Sequence, residues 1–98
     1  MRNVKRIEIV IGKPHEHVVL DLLRNQGVPG FTVFEAVAGF GDRGARDGGE
    51  LSDALVNRCI LTTCEADRLP DLTAALEPVL LRFGGLCLIS DAQLIRNE

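Results

Sequence analysis

Gly30–Arg46, GFTVFEAVAGFGDRGAR, joins a β-type run directly to a segment of glycine and arginine. Phe31–Ala38 is rich in β-branched and aromatic residues and predicts a strand. Phe31, Val33 and Val37 fall on one parity of that strand, and Thr32, Phe34 and Ala38 on the other. Apolar residues on both parities belong to a sheet covered on both faces. The following loop, Gly39–Asp53, holds five of the chain's ten glycines together with Arg43 and Arg46. Glycine lets backbone N–H groups converge on an anion, and arginine presents a permanently charged planar fork to phosphate. A loop of this length in a small domain usually carries function.

Toward the N-terminus, Pro29-Gly30 marks a turn, and Gly27 stands where a helix cap belongs. His15–Gln26 places Val18, Val19, Leu22 and Leu23 at helical spacing. Val4–Ile11, VKRIEIVI, predicts the first strand, punctuated by Gly12-Lys13-Pro14. Beyond the loop, Val56–Cys64 predicts a third strand. Leu69, Leu72, Leu76, Val79, Leu80 and Phe83 then mark one face of a second helix. Pro70 and Asp71 suit its first turn, whereas Pro78 removes an interior hydrogen bond and predicts a kink. Gly84-Gly85 ends that helix, and Leu86–Ser90 predicts a short last strand.

The resulting order, β-α-β-β-α-β, is the α+β ferredoxin-like arrangement of a four-stranded antiparallel sheet. Right-handed crossovers put both helices on one face. Two helices cannot cover two faces, so a second copy of the chain is expected to cover the other, in a homo-oligomer whose sheets face inward.

At 98 residues there is room for one domain, residues 1–98. A formal net charge of −3 argues against a nucleic-acid binder. No apolar run is long enough to span a bilayer, and the N-terminus lacks the pattern of a signal peptide. Cys59, Cys64 and Cys87 are odd in number, without C-x-x-C spacing, in apolar surroundings. They read as buried, reduced, structural thiols of a cytoplasmic protein. His15 and His17 read as surface residues, no spacing suggests a metal site, and Ser52 and Ser90 lack a triad context. No catalytic residue is assigned, and no resident cofactor is expected.

Gly30-Phe31-Thr32-Val33 followed by Gly39-Phe40-Gly41, with Lys13-Pro14 and Phe83-Gly84-Gly85, resembles the PII signal-transduction proteins along essentially the whole chain. The resemblance implies a ferredoxin-like homotrimer that binds adenine nucleotides in clefts between subunits. It makes residues of about 39–54 the T-loop and about 83–87 the B-loop. There are departures. No lysine closes Gly84-Gly85-Leu86-Cys87, the T-loop glutamine is replaced around Arg43, and no tyrosine is available for uridylylation. The chain also stops soon after the last strand, without the arginine-bearing extension of PII. These differences argue against a sensor of Mg-ATP and 2-oxoglutarate.

Gly-x-Gly-x-Arg-x-x-Arg is instead similar to the PII-like proteins of inorganic-carbon uptake, including regulators of bicarbonate transporters and the carboxysome-associated members. This branch implies ADP, AMP or cyclic AMP as ligand, with bicarbonate as a second input. It implies phosphate contacts from Arg43 and Arg46. Backbone approach falls to Gly39, Phe40, Gly41, Gly84, Gly85 and Leu86, and Thr32 lies near adenine or ribose. The implied partner is a membrane bicarbonate transporter or a carboxysome-linked protein. The alternatives are a nitrogen-type PII regulator, a small ferredoxin-like enzyme with slow nucleotide hydrolase activity, and a scaffold trimer. Read as residues alone, Arg43 and Arg46 are solvated charges pairing with Asp42, Asp47 and Glu50; Thr32 is a strand residue, and Lys13 is an exposed lysine after strand one.

Overall fold

A computed structural model describes residues 1–37, 39–41, 44–46 and 56–96, with backbone alone at 36, 37, 39–41 and 44–46. The elements run β1 (Arg2–Gly12), α1 (Glu16–Asn25), β2 (Phe31–Val37), β3 (Gly39–Gly41), β4 (Gly44–Arg46), β5 (Asn57–Cys64), α2 (Leu69–Phe83) and β6 (Leu86–Leu94). Four strands form one antiparallel sheet in the order β2-β5-β1-β6, with both crossovers helical, and this is the ferredoxin-like arrangement.

Several boundaries differ from the sequence reading. Lys13–His15 forms a turn of 3-10 helix, so α1 begins at Glu16. The last strand does not stop at Ser90 but continues to Leu94, paired along β1 as far as Arg2. Gly39–Gly41 and Gly44–Arg46, expected to be loop, pair with each other as a small two-stranded sheet. Ala38, expected at the end of the second strand, lies outside the described residues.

The helix-bearing face of the sheet is a closed core. Ile7, Ile9 and Ile11 of β1 pack with Ile60, Cys64, Val19, Leu23, Leu72 and Leu76. Thr62, buried in the same layer, donates its hydroxyl to the Gly30 carbonyl at 2.5 Å and pins the Pro29-Gly30 turn to β5. Gly27 caps α1 as the sequence predicts. Its φ is +73°, its N–H donates to Arg24 O, and the Val28 N–H donates to Leu23 O. α2 is helical through Pro78. The carbonyl that loses its donor there belongs to Ala74, and both residues are exposed, so water can replace the missing partner.

Among the described residues, no helix lies on the opposite face. Cross-strand pairing aligns Phe34, Cys59, Val10 and Leu86 in one row, and Thr32, Leu61, Glu8 and Leu88 in the next. Phe34, Leu86 and Leu88 are 50%, 48% and 61% exposed. The two-sided apolar character read from the strands is therefore present, with one side open in the single chain.

Candidate functional site

One end of the sheet gathers the glycine segments. In strand order it carries the start of β6, the end of β1, the start of β5 and the end of β2. The α2–β6 turn there is built from conformations reserved for glycine, with φ of +79° at Gly84 and +117° at Gly85. Gly85 also lies so close to β1 that a Cβ would stand 2.5 Å from the Val10 carbonyl oxygen. The Gly84 N–H closes α2 by donating to Leu80 O at 2.9 Å.

Beside this turn, β1 runs into the Lys13–His15 turn. The Lys13 N–H donates to Val56 O at 2.7 Å, where the chain returns from the 39–55 segment. The His15 ring stacks on Phe83 with centroids 4.1 Å apart, and the Arg82 guanidinium lies 5.2 Å from the same ring. His15 is thus half-buried against α2, not the surface residue the sequence suggests, whereas His17 is exposed.

A bulge sets the departure of β2 toward the glycine hairpin. Phe34 pairs with Cys59 but Val37 pairs with Asn57, so β2 holds one residue more than β5 across this interval. The insertion moves the register position of Val37 out of the row of Phe31 and Val33, to which simple alternation assigned it. Arg58 lies opposite the bulge, with its side chain 10% exposed. Its Nε is 3.6 Å from a Glu16 carboxylate oxygen and its Nη1 3.3 Å from a Glu35 oxygen. The Nε has no hydrogen-bond partner within the shorter hydrogen-bond range. A buried arginine held by carboxylates from α1 and β2 fixes both flanks of the 39–55 segment relative to the core. Sequence reasoning missed Arg58, because a charged residue in a strand ordinarily signals a solvated face.

Gly84, Gly85 and Leu86 therefore share one end of the sheet with the base of the Gly39–Gly41 strand. Thr32 does not join them. It lies on edge strand β2, whereas Leu86 lies on edge strand β6, about 14 Å away across two intervening strands at the usual sheet spacing. Arg43 lies outside the described residues; Phe40 and Arg46 are placed by backbone pairing in the hairpin, opposite Ala45 and Gly39 respectively.

Cys64 is buried, as expected, but Cys59 and Cys87 are only half-buried. Burial raises the thiol pKa of all three, reinforced by Glu8 at Cys59 and by Glu65 at Cys64. The thiols are kept protonated and are poor nucleophiles. Among the described residues, no group of His, Cys, Asp and Glu is arranged to hold a metal, and no helix is long and apolar enough to cross a membrane.

The family model for nitrogen regulatory protein P-II matches residues 4–98. The chain belongs to the P-II family. Among solved structures, the fold is similar to that of CPII, a nitrogen regulatory PII-like protein from Thiomonas intermedia K12, bound to ADP, AMP and bicarbonate. That likeness has a TM-score of 0.88 at 23% identity and covers 96% of this chain and 90% of that one. A second CPII structure, bound to ADP and bicarbonate, gives 0.85 at 26% identity over 96% and 90% of the two chains. A DUF3240 family protein from Shewanella baltica OS155 shares the fold at a TM-score of 0.69 and 16% identity, over 100% and 97% of the chains. Comparison with curated protein sequences gives no match. The P-II assignment agrees with the resemblance read from G-F-T-V and G-F-G, and with a signalling rather than a catalytic family.

Proposed function

We propose that this P-II family chain is a homotrimeric sensor of ADP or AMP, with bicarbonate as second ligand, acting on inorganic-carbon uptake or a carboxysome-linked process. The observation that carries the reading is the meeting of the Gly84-Gly85 turn, Lys13 and the base of the glycine hairpin at one end of a sheet with an open apolar face. Two sheets packed through the rows of Phe34 and Leu88 would cover that face. Such packing would also bring the edge bearing Thr32 toward a neighbour's glycine turn, across a distance that a single chain leaves open. CPII, whose structures hold ADP and bicarbonate, supports the ligand class.

In this reading residues 1–98 form one PII-like domain, with a T-loop of about 39–54 and a B-loop of about 83–87. Arg43 and Arg46 bind phosphate; the backbone of Gly39, Phe40, Gly41, Gly84, Gly85 and Leu86 lines the nucleotide, and Thr32 meets its adenine or ribose. Nucleotide binding orders the T-loop, and the ordered or released loop changes affinity for a membrane bicarbonate transporter or a carboxysome-linked protein. The chain acts in the cytoplasm as a regulator, not an enzyme. Coupling is reciprocal, so bicarbonate and ADP tighten one another equally.

The test is the double variant Arg43→Ala/Arg46→Ala. Losing charge-assisted phosphate bonds worth roughly 1.5–3 kcal/mol each weakens ADP binding at least tenfold with little change in melting temperature. Unchanged ADP affinity would refute the phosphate roles, and steady phosphate release from ADP or ATP by the wild type would favour the hydrolase alternative.

A further inference from the structure

We infer that the Arg6–Glu8 ion pair selects what docks on the open sheet face: a second copy of this chain, held in the register that sets each charge against its opposite. The inference rests on the homo-oligomer reading above and concerns what fixes partner and register there. Cross-strand pairing puts both residues on the open face. Glu8 stands between Leu61 and Leu88, in the row next to Phe34, Cys59, Val10 and Leu86. Arg6 stands one row further from the glycine turn, between Thr63 and Ser90. Both act on the Cys59 thiol of the same face, Glu8 raising its pKa and Arg6 lowering it, beneath the larger effect of burial. In these three rows Arg6 and Glu8 are the charged residues.

The Arg6 guanidinium pairs directly with the Glu8 carboxylate, and the side chains are 45% and 26% exposed, so solvent reaches both in the single chain. A guanidinium has five N–H donors and a carboxylate about four acceptor sites, more than one pair uses. A neighbour packed on Phe34, Leu61 and Leu88 excludes solvent and has to meet the remaining donors and acceptors itself. The face offers one charge of each sign, about 7 Å apart along β1 at ordinary strand rise. A partner surface that is wholly apolar, or charged with one sign, leaves at least one group unmet. A second copy carries both signs at the same spacing, so Arg6 of one copy meets Glu8 of the next. Displacement by one row sets a charge against leucine instead, which penalises every other register.

The dissociation constant of the oligomer is measured by sedimentation over a dilution series. The proteins compared are wild type, Arg6→Met, Glu8→Gln, the swapped Arg6→Glu/Glu8→Arg and the apolar Arg6→Leu/Glu8→Leu. Each single variant leaves the other charge buried without its partner and is expected to raise the dissociation constant about tenfold or more. Far-UV circular dichroism stays that of wild type, because the pair is accessible in the single chain. The swapped variant regains affinity to within about threefold of wild type. The apolar variant still associates, but as a mixture of sizes, since leucine against leucine fixes no register. Single variants within about twofold of wild type overturn the inference, as does a swapped variant no tighter than the singles. An apolar variant that keeps one wild-type size overturns it too. Wild type that sediments as monomer throughout would instead count against assembly through the open face itself.

Discussion

The two faces of the main sheet are made of similar residues and end in opposite states. On the helix side, Ile7, Ile9, Ile11 and Ile60 are sealed by α1 and α2. On the other side of the same sheet, Phe34 of β2 and Leu86 and Leu88 of β6 are about half exposed or more. The difference lies in what the chain has left to cover them: two right-handed crossovers deliver both helices to one side. One face is the business of folding, and the other is available for assembly. Because the glycine turn and the hairpin base sit at the end of this sheet, assembly through the open face would also decide what stands beside the proposed nucleotide site.

The contrast can be broken first at the closed face. Ile9→Ala removes a fully buried side chain and is expected to cost about 2–5 kcal/mol in urea unfolding. A loss under 1 kcal/mol would mean that the core is not where stability resides. At the open face, Leu88→Glu places a carboxylate opposite Glu8. If the proposed trimer forms through this face, the variant is expected to sediment as monomer, forfeiting about 1.5–3 kcal/mol of burial per subunit while the monomer's own fold survives. An unchanged sedimentation coefficient would show that the subunits meet elsewhere. The smallest effect belongs to the exposed outer surface of α2. Pro78→Ala restores the bond to Ala74 and is expected to stabilise by about 1 kcal/mol without altering assembly. A destabilised Pro78→Ala would show that the proline fixes a packing the helix needs.

Much of this architecture was legible because the signals were local. β-branched runs, helical spacing and Gly27 at its cap each act within a few residues, and G-F-T-V with G-F-G carried the family. What escaped depends on neighbours in space. Ser90, Asp91 and Gln93 look like the end of a strand, yet β6 continues through them: its residues pair with β1, and Lys5 meets Asp91 at 2.5 Å. Gly39–Arg46 looked like loop because glycine weakens strand propensity, but cross-strand pairing overrides that preference. The bulge in β2 and the burial of Arg58 have no local signature either, since each needs both strands and α1 to be seen. At the site, the glycines of the α2–β6 turn were readable, whereas the burial of His15 needed the stacked ring of Phe83.

The central claim is that the chain binds adenine nucleotide at its glycine turn and loop base, coupled to bicarbonate. Titration calorimetry of the wild-type protein with ADP, with and without bicarbonate, tests it most directly. The account predicts saturable heat at one ADP per chain, a dissociation constant below about 1 mM, and tighter binding when bicarbonate is present. An absence of heat up to millimolar ADP under both conditions would contradict it.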